Sequence, residues 1–143
     1  MTVQRILDAK GKGAEHIAPH ATIADFLQSL ELQNADALVV SNDGIKVDGI
    51  ISEHDVVRGL KEFGSDLLRK PVRDLMTAKV ITCTPNDRVE SIASVMVSKH
   101  VRHLPVVTNN KLVGIVSIRD VLRLHLESVQ SDADTMRGYI QEH

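Results

Sequence analysis

Two four-residue strings carry the residue types that cap helices or bind ligands: Ser52-Glu53-His54-Asp55 and Ser117-Ile118-Arg119-Asp120. Each follows an aliphatic run, Gly49-Ile50-Ile51 and Gly114-Ile115-Val116, and each leads into an amphipathic stretch. A serine followed three residues later by an aspartate is a capping box. Its hydroxyl accepts from the third helical N–H, and the carboxylate accepts from the serine N–H. The same place has a second chemistry. A helix start presents unpaired N–H groups and the positive end of the helix dipole, which favour an anion such as phosphate. The two uses are compatible, and the strings alone do not choose between them.

A basic cluster, Lys99, His100, Arg102 and His103, is the next candidate. Lys99 and His100 suit the solvated C-terminus of a helix, where the dipole favours cations. Arg102 and His103 stand at the entry to an apolar strand, where guanidinium and imidazole could hold phosphate oxygens. His54, Arg58, Arg119 and Arg123 add positive charge at the helix starts. Pro105 lacks an N–H and suits an edge or the start of a strand. Other patterns lead to no chemistry. His100-x-x-His103 and His16-x-x-x-His20 have no second cysteine and no HExxH string, so no metal site is expected. Gly11-Lys12-Gly13 lacks the rest of a phosphate loop and reads as a linker. Cys83, the only cysteine, reads as a buried small hydrophobe and excludes an intrachain disulfide. No nucleophile, base and orienting group fall into a set, so no catalysis is expected.

The elements that must position these groups occur twice. Gly49 through Arg58 lies over Gly114 through Arg123 at a constant offset of 65 residues. Ile23, Phe26, Leu27 and Leu30 have the spacing of one buried helical stripe, as do Val89, Ile92, Ala93 and Met96 at an offset of 66. Ala37-Leu38-Val39-Val40 matches Leu104-Pro105-Val106-Val107 at an offset of 67, the drift implying short insertions in loops. Pro19 and Pro85 precede the two helices. Each copy reads as a βαββα unit: a short strand, a helix, two strands and a closing helix. The strand runs are Ala37–Val40, Val47–Ser52, Leu104–Thr108 and Leu112–Ser117, with turns at Asn42-Asp43-Gly44 and Asn109-Asn110. A unit of about 60 residues buries too little surface to be secure alone. Two copies that cover each other's sheet faces solve this, so the expected fold class is α/β (α+β), two units packed sheet to sheet. Residues 1–62 form the first repeat, 63–79 the linker and entry to the second, with a helical turn at Val72–Met76. Residues 80–127 form the second repeat, and 128–143 a C-terminal helix or tail suited to a dimer contact.

Composition limits the partners. In 143 residues, 43% are hydrophobic, 25% charged and 2% aromatic, with a net charge of −2. That balance gives no basic footprint for nucleic acid and few stacking platforms for single strands. No uncharged apolar run approaches the roughly 18 residues that span a bilayer. The N-terminal MTVQRILDAKGKG lacks the apolar core of a signal peptide, so a cytoplasmic protein is expected.

The string Val101-Arg102-His103-Leu104-Pro105-Val106-Val107, followed by Leu112 through Val121, resembles the cystathionine-β-synthase (CBS) domain, as does the entry Leu75 through Thr82. With the looser first half, roughly residues 1–126 resemble a tandem CBS pair, or Bateman module, of the stand-alone bacterial kind. The resemblance implies a pseudo-twofold pair that forms a homodimer and binds AMP, ADP, ATP, NAD(H) or S-adenosylmethionine in two clefts. It implies a regulatory role without catalysis, exerted on a partner protein. Asp55 and Asp120 would chelate ribose hydroxyls, and Ala78 and Val80 would touch the base, although core packing explains those two equally. In the usual crosswise arrangement one cleft combines Ser52, His54 and Asp55 with Ala78, Val80 and Arg102, His103, Leu104 and Pro105. The other combines Ser117, Arg119 and Asp120 with Lys12, Ala14 and Ala35, Asp36 and Ala37. Asp36 stands where His103 does in the offset-67 match and would repel phosphate, so the cleft of Asp55 and Arg102 is the expected stronger one. The alternative is a ligand-free module that dimerises and docks on another protein.

Overall fold

The computed structural model describes residues 1–142 except Lys12 and Ala14, together with all side chains but those of Ser131 and residues 138–142. After a first helix, α1 (Val3–Lys10), come β1 (His16–Ile17), α2 (Ile23–Gln33), β2 (Ala37–Val40), β3 (Gly49–Ser52) and α3 (Glu53–Phe63). Two 3₁₀ turns, Gly64–Arg69 and Val72–Asp74, lead to α4 (Val89–Lys99), β4 (His103–Thr108), β5 (Lys111–Ser117) and α5 (Ile118–Glu142). The first sheet runs β1-β2-β3, with β1 parallel to β2 and β2 antiparallel to β3. The second is the antiparallel hairpin β4-β5. Two similar units of helices and small sheets are therefore present, as the repeat required. The short strand opening the second copy is reduced to one parallel bridge, Cys83 to Val106.

Local sequence accounts for these boundaries. Thr22 caps α2 reciprocally: its hydroxyl accepts from the Asp25 N–H at 3.1 Å, and Asp25 accepts from the Thr22 N–H at 3.1 Å. The Thr22 N–H, and after it the Thr22 hydroxyl, hold the Asp25 carboxyl below its usual value. α2 and α4 each end on a left-handed residue, Asn34 (φ 51°) and His100 (φ 55°). Asn109 and Asn110 both have positive φ, the conformation of a tight hairpin turn whose twist suits the strands. Pro105 is interior to β4 rather than at its start. Its carbonyl accepts from Cys83 N–H at 3.0 Å, on the side where pairing is a single bridge, so the missing N–H removes no bond from the β4-β5 ladder.

The register of the repeat corrects one expectation. Ala37 pairs with Ser52, and His103 with Ser117. Leu38 and Val40 enter the first core, Leu104 and Val106 the second. The strands therefore match at an offset of 66, not 67. Asp36 corresponds to Arg102, and Ala37 to His103. A one-residue slip in a strand exchanges its two faces, and burial decides which face is right. Two cross-strand bonds agree: Asp36 C=O accepts from Glu53 N–H, as Arg102 C=O does from Ile118 N–H.

Each unit has its own core. Ile17, Ile23, Phe26, Leu30, Leu38, Val40, Ile51 and Val56 pack with Leu67 and Val72 of the linker turns. Ile92, Met96, Leu104, Val106, Val116 and Leu124 pack with Val3 and Ile6 of α1. The N-terminal helix, absent from the sequence reading, thus completes the second unit. Paired bridges, Thr22 to Pro71 and Thr2 to Arg88, fix the two leading segments in equivalent places. Ala37 and Val39, on the β2 face away from the first core, are also buried. Backbone and side-chain bonds join the units, among them Leu112 N–H to Ile45 C=O at 2.7 Å.

Candidate functional site

Both Ser-x-x-Asp strings form capping boxes where β3 enters α3 and β5 enters α5. Asp55 Oδ2 accepts from the Ser52 N–H at 2.9 Å, and Asp120 Oδ2 from the Ser117 N–H at 2.9 Å. Ser117 Oγ accepts in return from Asp120 N–H at 3.1 Å. The two carboxylates then acquire different cations. Asp55, 6% exposed, is paired through Oδ1 with Arg58 one helical turn on. Asp120 Oδ2 takes a bond from Lys10 Nζ at 2.8 Å, and that ammonium also donates to Ile115 C=O at 2.8 Å. Sequence reasoning missed Lys10. Thr2, Val3, Ile6, Leu7 and Gly11 would have shown the helix that carries it, since cap, stripe and C-terminal glycine are all present.

Around Asp55, the segment leading into the second unit crosses the first. Thr77 and Ile50 exchange backbone bonds of 2.9 and 3.0 Å. The approach is close, since a Cβ on Gly49 would lie 2.7 Å from Thr77 O. Asp55, Arg58, Gly59, Glu62, Asp74, Met76 and Thr77 border a groove of about 340 Å³ with the two charges of the Asp55–Arg58 pair on its wall. Of the expected ligand contacts only Asp55 borders this groove. Ala78, next to Thr77, is exposed, and Val80 is half-buried. Ser52 is half-buried and His54 exposed at the start of α3. Around Asp120 the corresponding crossing is made by α1: a Cβ on Gly114 would lie 2.6 Å from Leu7 Cδ2, and Lys10 reaches Ile115. Lys12 and Ala14, expected here, lie outside the described residues.

Between the two helix starts, Asp36 and His103 meet. His103 Nε2 and Asp36 Oδ1 are 2.9 Å apart, although the sequence reading assigned them to separate clefts. Burial raises the Asp36 carboxyl, but the His103 bond and charge, with the charge of Arg119, outweigh it and leave the group below its usual value. Arg102 is exposed, Arg119 is exposed, and Leu104, Pro105 and Ala37 are buried, with Ala35 half-buried. Cys83 is buried, and burial followed by the charge of Asp87 pushes its thiol up to about 12, so it stays protonated and unreactive. No metal-holding cluster of His, Cys, Asp or Glu forms among the described residues. No helix among them is long and apolar enough to cross a membrane.

Comparison with known proteins settles the family. The CBS domain model matches residues 12–62 and again 72–127. The chain belongs to the CBS domain family. CBS domain-containing protein CBSX3, mitochondrial, from Arabidopsis thaliana is 31% identical over 98% of this chain, which spans 72% of its length. Against longer CBS relatives the span falls to 37%. Two solved CBS structures share the arrangement. The CBS domain pair of protein MJ0100, in complex with 5′-methylthioadenosine and S-adenosyl-L-methionine, has a TM-score of 0.79 at 26% identity, covering 90% of this chain and 98% of its own. CBSX2 in complex with AMP has a TM-score of 0.70 at 25% identity, covering 88% and 96%.

Proposed function

We propose that this CBS pair is a regulatory module that binds an adenosine-containing ligand, AMP, ADP, ATP or NAD(H), and performs no catalysis of its own. The observation that carries the reading is the doubled helix start. A carboxylate, buried at Asp55 and half-buried at Asp120, is held by a capping serine beside a crossing segment, once in each unit. A carboxylate fixed in this way is oriented before a ligand arrives, and hydrogen bonds from ribose hydroxyls to it are of the charge-assisted kind worth about 1.5–3 kcal/mol. The adenosine compounds bound by the MJ0100 pair and by CBSX2 support the ligand class. The first cleft, around Asp55, is the stronger site in this reading, because its cation is the largely exposed Arg58 of the same helix, whereas Lys10 ties Asp120 to a second element.

Thermal unfolding with AMP, ATP, NADH and S-adenosylmethionine tests it. A native-state ligand at 100 times its Kd adds about 2.7 kcal/mol. The stabilisation should vanish in Asp55→Ala. Absence of a shift with every compound overturns the proposal. One observation favours a second reading, a ligand-free docking module: both carboxylates already have intramolecular cations, Arg58 and Lys10. A partner captured equally with and without nucleotides, by wild type and by Asp55→Ala, supports that reading instead.

A further inference from the structure

The Asp36–His103 contact joins more than two side chains. Asp36 C=O accepts from Glu53 N–H, the first amide of α3, at 3.0 Å, and Arg102 C=O accepts from Ile118 N–H, the first amide of α5, at 2.8 Å. The two strand entries therefore sit on the two helix starts, and the pair lies between them. The His103 side chain is only 12% exposed, whereas that of Asp36 is 41% exposed and open to exchange of partners. Arg119, the second residue of α5, also acts on Asp36 through its charge. A carboxylate is thus held where an imidazole donor and a guanidinium converge, the kind of place that suits a phosphate. The first unit has no equivalent imidazole, since Ala37 takes the place of His103 in the register.

A carboxylate and a phosphate both offer negatively charged acceptor oxygens, and the one hydrogen on His103 Nε2 serves one of them at a time. We propose that Asp36 is a specificity-determining residue: its carboxylate occupies His103 as an internal stand-in for phosphate and sets how much negative charge a bound ligand carries at this place. The sequence reading has this acid weighing on the second cleft, whereas the structure sets it against a donor assigned to the first. The inference rests on the adenosine-binding reading for its natural ligand, while the competition itself concerns any phosphate-bearing anion. A neutral tail leaves the pair intact. A phosphate that reaches His103 displaces Asp36 and then lies beside a carboxylate that has lost its donor, a penalty that grows with the charge of the tail. Displacement also breaks a contact between the two units, so phosphate binding and the union of the halves are reciprocally linked.

Calorimetric titration of the full chain with adenosine, AMP, ATP and inorganic pyrophosphate, at constant ionic strength, tests it. The proteins are wild type, Asp36→Asn, and Asp36→Asn combined with His103→Gln. Asp36→Asn should bind pyrophosphate about tenfold more tightly than wild type, with the ring nitrogen signals of His103 shifting as it binds. Its ratio of AMP to adenosine affinity should rise by about the same factor, and the ratio of ATP to adenosine further. Replacing His103 as well should remove these gains, which a merely structural role for Asp36 would not produce in order of ligand charge. Asp36→Ser, which also lacks the charge, carries the comparison if the amide variant folds poorly. Pyrophosphate affinity that stays at the wild-type value once the charge is removed overturns the inference. So does an unchanged ratio of AMP to adenosine affinity where both bind, or a gain that survives the loss of His103. Tighter pyrophosphate binding by Asp36→Asn, with adenosine, AMP and ATP bound by neither protein, upholds the inference and removes the adenosine reading instead.

Discussion

Asp55 and Asp120 are the same residue in the same capping box, yet their cations come from different distances in the chain. Arg58 is a neighbour on α3, whereas Lys10 comes from a helix 110 residues away from Asp120. If Lys10 competes with a ligand for Asp120, removing it opens a second site. Isothermal titration of an adenosine ligand should then find one site in wild type and two in Lys10→Ala; unchanged stoichiometry removes Lys10 as the competitor. The ammonium also holds α1 to the body, so the same variant should unfold at a slightly lower temperature. Asp36 offers a test through pH. Its carboxyl lies below the usual value in the folded protein, so the unfolded chain binds more protons as pH falls through the ordinary carboxylate value of about 3.9. Its contribution is therefore complete above that value and is lost as pH drops towards the lowered one. Asp36→Asn should be less stable than wild type at neutral pH and should close that gap in acid. Unfolding curves at several pH values that run parallel for the two proteins refute this sign.

Elements meet closely at two equivalent glycines, Gly49 and Gly114. A side chain on Gly49 would press on the backbone oxygen Thr77 O, whereas one on Gly114 would meet the end of the flexible Leu7 side chain. Gly49→Ala should therefore cost about 1–3 kcal/mol and Gly114→Ala distinctly less, as chemical denaturation would show. Sequence reasoning placed α2, α4 and the β4-β5 hairpin well, because each is announced locally by periodic apolar residues, caps or paired asparagines. It failed by one residue in β2, where four successive buried residues, Ala37 to Val40, leave no polar alternation to fix the register. The site followed the same division. Its capping boxes were legible, being contained within four residues. Lys10, the Asp36–His103 pair and the groove beside Thr77 were not, since each arises where separate segments cross.

At the scale of the molecule, the helix before the first unit is a structural part of the second. Ile6→Ala should cost about 2–5 kcal/mol, as deletion from a packed core does, with the loss falling on the core of β4, β5 and α4. Hydrogen exchange should show faster amides in β5 than in β3; equal acceleration in both would mean that the two cores open as one. This coupling between the beginning and end of the chain could not be read from the repeat, which describes each unit as self-contained.

The corrected register gives the Asp36–His103 contact a meaning for assembly. Asp36 corresponds to Arg102 and Ala37 to His103, so the interface would present different faces in other pairings of halves. Two first halves placed together in this way would set Asp36 against Ala37 and leave the carboxylate without its imidazole. Two second halves would bring the Arg102 guanidinium towards the His103 imidazole, with no carboxylate between them. Only unlike halves bring opposite polarity together. As the chain emerges during synthesis, its first half is complementary to the half still to come rather than to the first half of a neighbouring chain. A duplicated gene that had kept its copies identical would have had no such means of telling them apart.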